Sequence, residues 1–213
     1  MTGWAVETLS TTDSTQKEIR ARLAQGAADG LVLRALRQTQ GRGRMGRIWE
    51  GGAGNLMFSV LLRRDIPRDK TGQIALLAGV VSARAIAPLL TEPSVLRLKW
   101  PNDVLIAGRK CGGILAEAEG DALILGVGIN VASAPLEAAA CVDLHSDAPV
   151  DTAVLLDSWL SVFTEYYESW QKEGFEPVRA AWLAHGPVPG AAMAVQAGEG
   201  RLEALFEGIA DDG

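Results

Sequence analysis

The chain has 213 residues, a formal net charge of −6, 48% hydrophobic and 22% charged residues, and only two cysteines and two histidines. This is enough chain for one substantial core, and the acidic balance argues against general nucleic-acid binding. Two cysteines are too few for a disulfide framework, no run approaches the ~20 unbroken apolar residues of a membrane span, and the first residues lack a basic region followed by an apolar core, so a reducing cytoplasmic setting away from membrane is expected.

Asp13-Ser14-Thr15 offers capping chemistry ahead of Ile19 and Leu23 at i, i+4, and Gly26 follows as a stop, which predicts a helix over about 15–25. Leu31–Arg37 is short and apolar-rich and reads as a strand. Asn55–Leu62 reads as a buried strand after the glycine cluster Gly51, Gly52 and Gly54. Thr71 is placed to cap a long apolar helix from Gly72 to about Leu90. Strands follow at Val95–Trp100, Asp103–Ile106, Cys111–Glu119 and Ala122–Val127, with Ala107–Lys110 as a hairpin-like connection. Asp151 or Thr152 caps a helix to about Lys172, and Pro177–His185 is a last short helix. Adjacent strands outnumber strand–helix alternations, so the expected class is α+β with a mostly antiparallel sheet. Gly186–Gly190 reads as a linker between residues 1–186 and a small β segment, 187–213, whose strands fall near Ala194–Gln196 and Arg201–Glu207 and whose chain stops where a hairpin would continue.

Chemistry concentrates in three places. The run Leu31–Trp49 holds five arginines (Arg34, Arg37, Arg42, Arg44, Arg47) and no acid. Its centre, Gly41-Arg-Gly-Arg-Met-Gly46, joins close-approach glycines to guanidinium forks, a combination that expects an anion. It formally matches Gly-x-Gly-x-x-Gly, with Asp65 about the right distance on. A glycine cluster and a strand stand where the dinucleotide motif requires a helix, and the Rossmann reading fails. The second place is Lys99-Trp-Pro-Asn-Asp103, which by itself could be a turn carrying a snorkelling lysine. The third is Lys110-Cys-Gly-Gly113, where paired glycines in a strand mark the close approach of a ligand or another backbone. Cys111 fits a small packing residue better than a reactive thiol. His145 and His185 lie forty residues apart, and without a Cys-x-x-Cys pair they offer little for zinc or for nucleophilic catalysis.

Taken together, Gly41–Trp49 (GRGRMGRIW), Lys99–Leu105 (KWPNDVL) and Lys110–Glu117 (KCGGILAE), with Asp13–Gln16 before them and Gly126–Asn130 (GVGIN) after, resemble the bacterial biotin protein ligase family over about residues 5–186. The resemblance implies a fold like the class II aminoacyl-tRNA synthetases and biotin–lipoate ligases, with a C-terminal SH3-like β-barrel cut short here. It also implies ATP-dependent formation of biotinyl-5′-AMP with Mg²⁺, followed by transfer of biotin to a lysine of biotin carboxyl carrier protein. Ser14, Thr15 and Gln38 would then bond the ureido ring, with Gly41, Arg42 and Gly113 pressed against the ligand. Arg42, Arg44 and Lys110 would hold carboxylate and phosphate oxygens, Lys110 centrally, with Arg47, Lys99 and Asn102 beside them. Trp49 would stack on adenine and Asn130 would read its edge. Asp103 would either hold Mg²⁺ or fix its turn. Nothing resembling a helix-turn-helix precedes the motifs, so a monofunctional type that does not bind DNA is expected, with a homodimer left open. The alternatives are a lipoate–protein ligase and a non-catalytic biotin sensor. Glycines and mutually repelling arginines make the loop costly to order unless an anion is bound.

Overall fold

The computed structural model describes residues 3–63, 66–135, 138–197 and 200–213; Asp65 lies outside them. Seven strands form one sheet: β1 (Ala5–Leu9), β2 (Leu31–Ala35), β3 (Leu56–Leu62), β4 (Leu96–Lys99), β5 (Asp103–Ile106), β6 (Arg109–Glu119) and β7 (Ala122–Ile129). Their spatial order is β1-β2-β3-β7-β6-β5-β4. Only β1 and β2 run parallel, and every other pair is antiparallel. The α+β, mostly antiparallel expectation therefore holds. β1, a largely exposed edge strand, and the 3₁₀ turns at Arg44–Gly46 and Arg68–Lys70 are not among the elements expected from the sequence.

Strand alternation divides the sheet between two cores. Val32, Phe58, Val60, Leu125, Val127 and Ile114 point to the face covered by helices α2 (Thr71–Ile86), α3 (Thr152–Glu173) and α4 (Glu176–Leu183). Leu33, Leu61 and Ile124 point to the other face, where α1 (Thr15–Ala24) lays Ile19 over them. α1 covers only part of that second face, and the cavity described below occupies the uncovered part.

Asp151 caps α3, its Oδ1 accepting from the backbone N–H of Ala153 at 2.7 Å. One side of α3 carries Trp159, Phe163, Tyr167 and Trp170, successive ring centroids lying 5.0, 5.6 and 5.5 Å apart. The Trp159 indole N–H donates to Ser82 Oγ of α2 at 2.9 Å, and that of Trp170 donates to Gln73 Oε1 at 2.8 Å. Thr71 does not cap α2. It begins the helix, and the preceding 3₁₀ turn makes Lys70 the N-cap residue. The stretch Arg68–Leu89 is long and apolar enough to cross a membrane by length and composition, but 67% of its most apolar window is buried, as in a core helix.

The C-terminal strands β8 (Ala192–Ala197) and β9 (Gly200–Leu205) form a separate two-stranded sheet; an SH3-like barrel is not present among the described residues. Phe206 and Ile209 pack into the main core, and the Trp100 indole N–H donates to the Gly213 carbonyl at 3.0 Å. The segment after 186 thus rests on the larger unit.

Candidate active site

A cavity of about 480 Å³ opens on the face of the sheet that α1 leaves uncovered. Its floor is made by β6 and β7, where Gly113 pairs with Gly128 and Leu115 with Gly126. Its roof is the Arg42–Trp49 loop, its closed end holds Ser14, Thr15, Gln16, Gln38 and Ser59, and its far wall is Lys99–Asp103 with Lys110. Ala194 of β8 reaches the rim.

The glycines of the floor are there for space. A Cβ on Gly128 would lie 2.4 Å from Trp49 Cε2, and one on Gly113 would lie 3.1 Å from Trp49 Cζ3, so the indole rests directly on bare backbone. The indole N–H is buried and has no hydrogen-bond partner among the described residues. The roof closes on itself: Trp49 N donates to the Gly41 carbonyl at 2.9 Å, and Gly43 N donates to the Arg47 carbonyl at 2.8 Å. Met45 is turned into the left-handed region at φ 55°, an uncommon conformation for a side-chain-bearing residue, and the three arginines around it are exposed. At the base of the roof, Asn55 Oδ1 accepts from the backbone N–H groups of Val131, Ala132 and Ser133 at 2.9, 3.1 and 3.1 Å, fixing the loop to the end of β7.

A bulge aims Lys110. Leu105 pairs with Lys110 while Val104 pairs with Gly112, leaving Cys111 as the extra residue. Leu105 shares a face with Asp103, so the bulge turns Lys110 onto the cavity side and sends Cys111 into the core. The ammonium Nζ lies 2.6 Å from Asp103 Oδ1 and 5.7 Å from the centre of the Trp49 ring. The hairpin turn is tighter than the sequence suggested: only Ala107 and Gly108 form it, and Lys110 belongs to the strand. Burial pushes the Cys111 thiol up to about 12, which suits packing rather than reactivity.

The Lys-Trp-Pro-Asn-Asp segment is both a turn and a wall. Asn102 donates from Nδ2 to the Ile114 carbonyl at 2.7 Å, and its Oδ1 accepts from Arg44 Nη1 at 3.4 Å, joining wall to roof. Five basic residues line the cavity (Arg42, Arg44, Arg47, Lys99, Lys110), against Asp103 alone as acid among the described lining residues. A local excess of positive charge in a chain of net charge −6 favours an anionic guest.

Of the residues expected from the sequence, Ser14, Thr15, Gln38, Arg42, Arg44, Arg47, Trp49, Lys99, Asn102, Asp103, Lys110 and Gly113 all line this one cavity. Two do not. Gly41 is buried beneath the roof, where a Cβ would meet the Trp49 carbonyl oxygen at 2.4 Å, so its part is to let the loop close. Asn130 lies off the cavity wall and donates from Nδ2 to the Ala140 carbonyl at 3.2 Å, bracing the segment after β7. Its expected contact with adenine has no support from this position. As to a metal, no group of three or more His, Cys, Asp or Glu side chains converges among the described residues, and the Asp103 carboxylate is paired with Lys110.

Four further lining residues, Gln16, Ser59, Gly126 and Gly128, were given no site role from the sequence, although Gln16 and both glycines stand in segments that carry the family resemblance. The glycines left a readable sign, since Gly126 and Gly128 alternate along a strand and so share a face. At Gln16 the residue type alone gives no sign of a site role, because a glutamine on a helix ordinarily reads as solvent-facing.

Residues 8–132 match the model of the Biotin/lipoate A/B protein ligase family. The chain is 33% identical over 216 residues to the bifunctional ligase/repressor BirA of Bacillus subtilis, covering 94% of this chain and 65% of that protein. It is 33% identical to the biotin–[acetyl-CoA-carboxylase] ligase of Paracoccus denitrificans, covering 96% and 90%. Among solved structures, biotin protein ligase from Aquifex aeolicus in complex with biotin and ATP superimposes with a TM-score of 0.83 at 29% identity, over 97% of this chain and 88% of that one. The chain thus spans 65% of the length of the first of these relatives.

Proposed function

This chain belongs to the Biotin/lipoate A/B protein ligase family, and from that premise we propose that it is an ATP-dependent biotin–protein ligase. The observation that carries this reading is the polarity of the cavity: hydroxyl and amide groups at its closed end, bare glycine backbone along its floor, and five cations at its mouth.

In this reading the ureido ring of biotin sits among Ser14, Thr15 and Gln38, and its acyl chain runs along the floor past Gly126 and the edge of the Trp49 indole, which itself covers Gly113 and Gly128. The carboxylate then arrives beside Lys110. A carboxylate oxygen attacks the α-phosphorus of ATP, and the bond to pyrophosphate breaks. Both reactants are anions, so the catalytic need is for positioning and charge neutralisation, which Lys110, Arg42 and Arg44 supply without a protein nucleophile. Lys99, Arg47 and Asn102 flank the phosphates, and Trp49 covers the adenylate and excludes water. A lysine amine of the carrier protein next attacks the acyl carbon, and AMP leaves.

Mg²⁺ would enter with the ATP phosphates, Asp103 supplying at most one ligand, since octahedral Mg²⁺ commonly takes one or two carboxylates plus phosphate and water. We assign residues 1–186 to the catalytic unit and 187–213 to a small C-terminal β unit. The macromolecular partner is biotin carboxyl carrier protein, in the cytoplasm and without DNA; a homodimer is compatible with this. Incubation of the chain with ATP–Mg²⁺, biotin and a carrier domain should add one biotinyl group to one lysine of the carrier, read by intact mass. Transfer of lipoate in preference to biotin would reassign the substrate.

A further inference from the structure

At the closed end of the cavity, Thr15, Gln16 and Ser59 are 3%, 3% and 0% exposed, so every polar atom they carry needs a partner. Gln16 comes from α1, and its side chain passes over Gly126 of β7, where a Cβ would lie 2.7 Å from Gln16 Oε1. Its Nε2 donates to the carbonyls of Leu115 and Ile124 at 3.3 and 3.2 Å and to Glu117 Oε2 at 3.1 Å. All three partners are pure acceptors, so the amide has one orientation: nitrogen toward β6 and β7, oxygen toward Ser59. Arg20 holds the far end by donating to Glu117 and Glu119.

This orientation sets every hydrogen downstream. Gln16 Oε1 can only accept, so Ser59 Oγ must donate to it, at 2.9 Å. The one Ser59 hydrogen is then used, and at the 2.8 Å contact between the Ser59 and Thr15 hydroxyls Thr15 is the donor. Gln38 Oε1 accepts the Thr15 backbone N–H at 2.7 Å and, through its second lone pair, stands as a longer alternative acceptor for the Thr15 hydroxyl hydrogen at 3.2 Å, against 2.8 Å to Ser59. With its hydrogen drawn toward Ser59, the Thr15 hydroxyl presents only lone pairs to a ligand.

We infer that Gln16 and Ser59 are positioning residues that hold the Thr15 hydroxyl as an obligate acceptor, so that the cavity selects a ligand head presenting an N–H at that point. The inference rests on the biotin reading above, in which the ureido ring supplies that N–H. A dithiolane head supplies none, and a ring oxygen in place of nitrogen would face the Thr15 oxygen lone pair to lone pair. Sites built to pair a ligand hydrogen bond reject analogues that lack it because the buried partner is left unsatisfied.

The test uses the full chain and three ligands: biotin, and the two cyclic carbamates in which one or the other ring N–H is replaced by oxygen. Dissociation constants come from calorimetry, with biotin KM and kcat from pyrophosphate release. The parent chain should bind at least one carbamate about tenfold or more weakly than biotin. In Ser59→Ala the Thr15 hydrogen loses its closer acceptor, keeps only the longer contact to Gln38 Oε1, and can turn to the ligand, so that ratio should shrink severalfold. Biotin KM should rise while kcat changes by less than about twofold. Gln16→Met should shrink the ratio in the same way, and Thr15→Val should remove the discrimination, with the Thr15→Val/Ser59→Ala double variant losing nothing more. Thermal midpoints report whether each variant folds. A merely structural role would weaken biotin and carbamate equally, so an unchanged ratio in folded Ser59→Ala and Gln16→Met overturns the inference and leaves the biotin reading intact. If the parent chain neither binds biotin nor releases pyrophosphate with it, the functional reading itself has failed.

Discussion

Lys110 Nζ lies 2.6 Å from Asp103 Oδ1, and the two meet only because a bulge at Cys111 turns Lys110 onto the face that Asp103 already occupies. The ion pair holds the ammonium at the wall of the cavity, where the reacting carboxylate and phosphate are proposed to meet. Lys110→Ala should lower the rate of adenylate formation by about 10²–10³, the range for removing one preorganised electrostatic group. Asp103→Asn should cost less, about tenfold, with the Mg²⁺ concentration for half-maximal rate unchanged. A large rise in that concentration would show that Asp103 serves the metal rather than Lys110.

Gly128→Ala adds a methyl group where the Trp49 indole now lies, with Cε2, Cζ2 and Nε1 all within 2.4–2.7 Å of the new atom. The indole has to lift, and the roof loses its seat on the floor. The variant should keep the far-ultraviolet circular dichroism of the parent but release bound adenylate faster, by about tenfold, read by chasing labelled adenylate. An unchanged release rate would mean that the Trp49–Gly128 contact does not retain the ligand.

Arg44 joins roof to wall through Asn102 Oδ1 at 3.4 Å. Arg44→Gly should loosen retention and let activated biotin reach stray lysines, including those of the chain itself. Streptavidin blotting of bystander protein checks this, and labelling confined to the carrier would refute it. In the same spirit, trypsin should cut at Arg42–Arg47 readily in the free chain and slowly with biotin and ATP present, because loop ordering is paid for by the anion.

Stability should also depend on pH through His185. Burial, then the nearby Arg84 and Arg97 charges, hold its pKa below the ordinary value. A histidine depressed in the folded state binds fewer protons folded than unfolded. Its stabilising contribution is therefore complete above the unfolded pKa, about 6.5, and is lost as pH falls through the folded value. His185→Gln should flatten the fall in thermal midpoint on acidification below about pH 6.5; an identical slope would assign the acid sensitivity elsewhere.

The elements legible in the sequence are those whose local chemistry agrees with their burial. The capping residue Asp151 marks the start of α3, and short, nearly continuous apolar runs mark β3 and β7. β1 was not legible because four of its five residues are exposed on an edge. Thr71 misled because a 3₁₀ turn runs into α2 and moves the cap to Lys70. The gathering of basic residues was legible where residue type alone marks it, since the loop arginines and Lys110 line one cavity. The site was not legible where long-range packing sets the role: Gln16 reaches Ile124, 108 residues away, and Asn130 turns its amide to Ala140 rather than the cavity.

The most direct measurement of the central claim is pyrophosphate release by the isolated chain given ATP–Mg²⁺ with and without biotin, together with mass spectrometry of the ligand it retains. The account predicts one biotin-dependent equivalent of pyrophosphate per active site before any carrier is added, a bound biotinyl-5′-AMP, and loss of both in Lys110→Ala. Biotin binding with no pyrophosphate release, under conditions where ATP also binds, would contradict it.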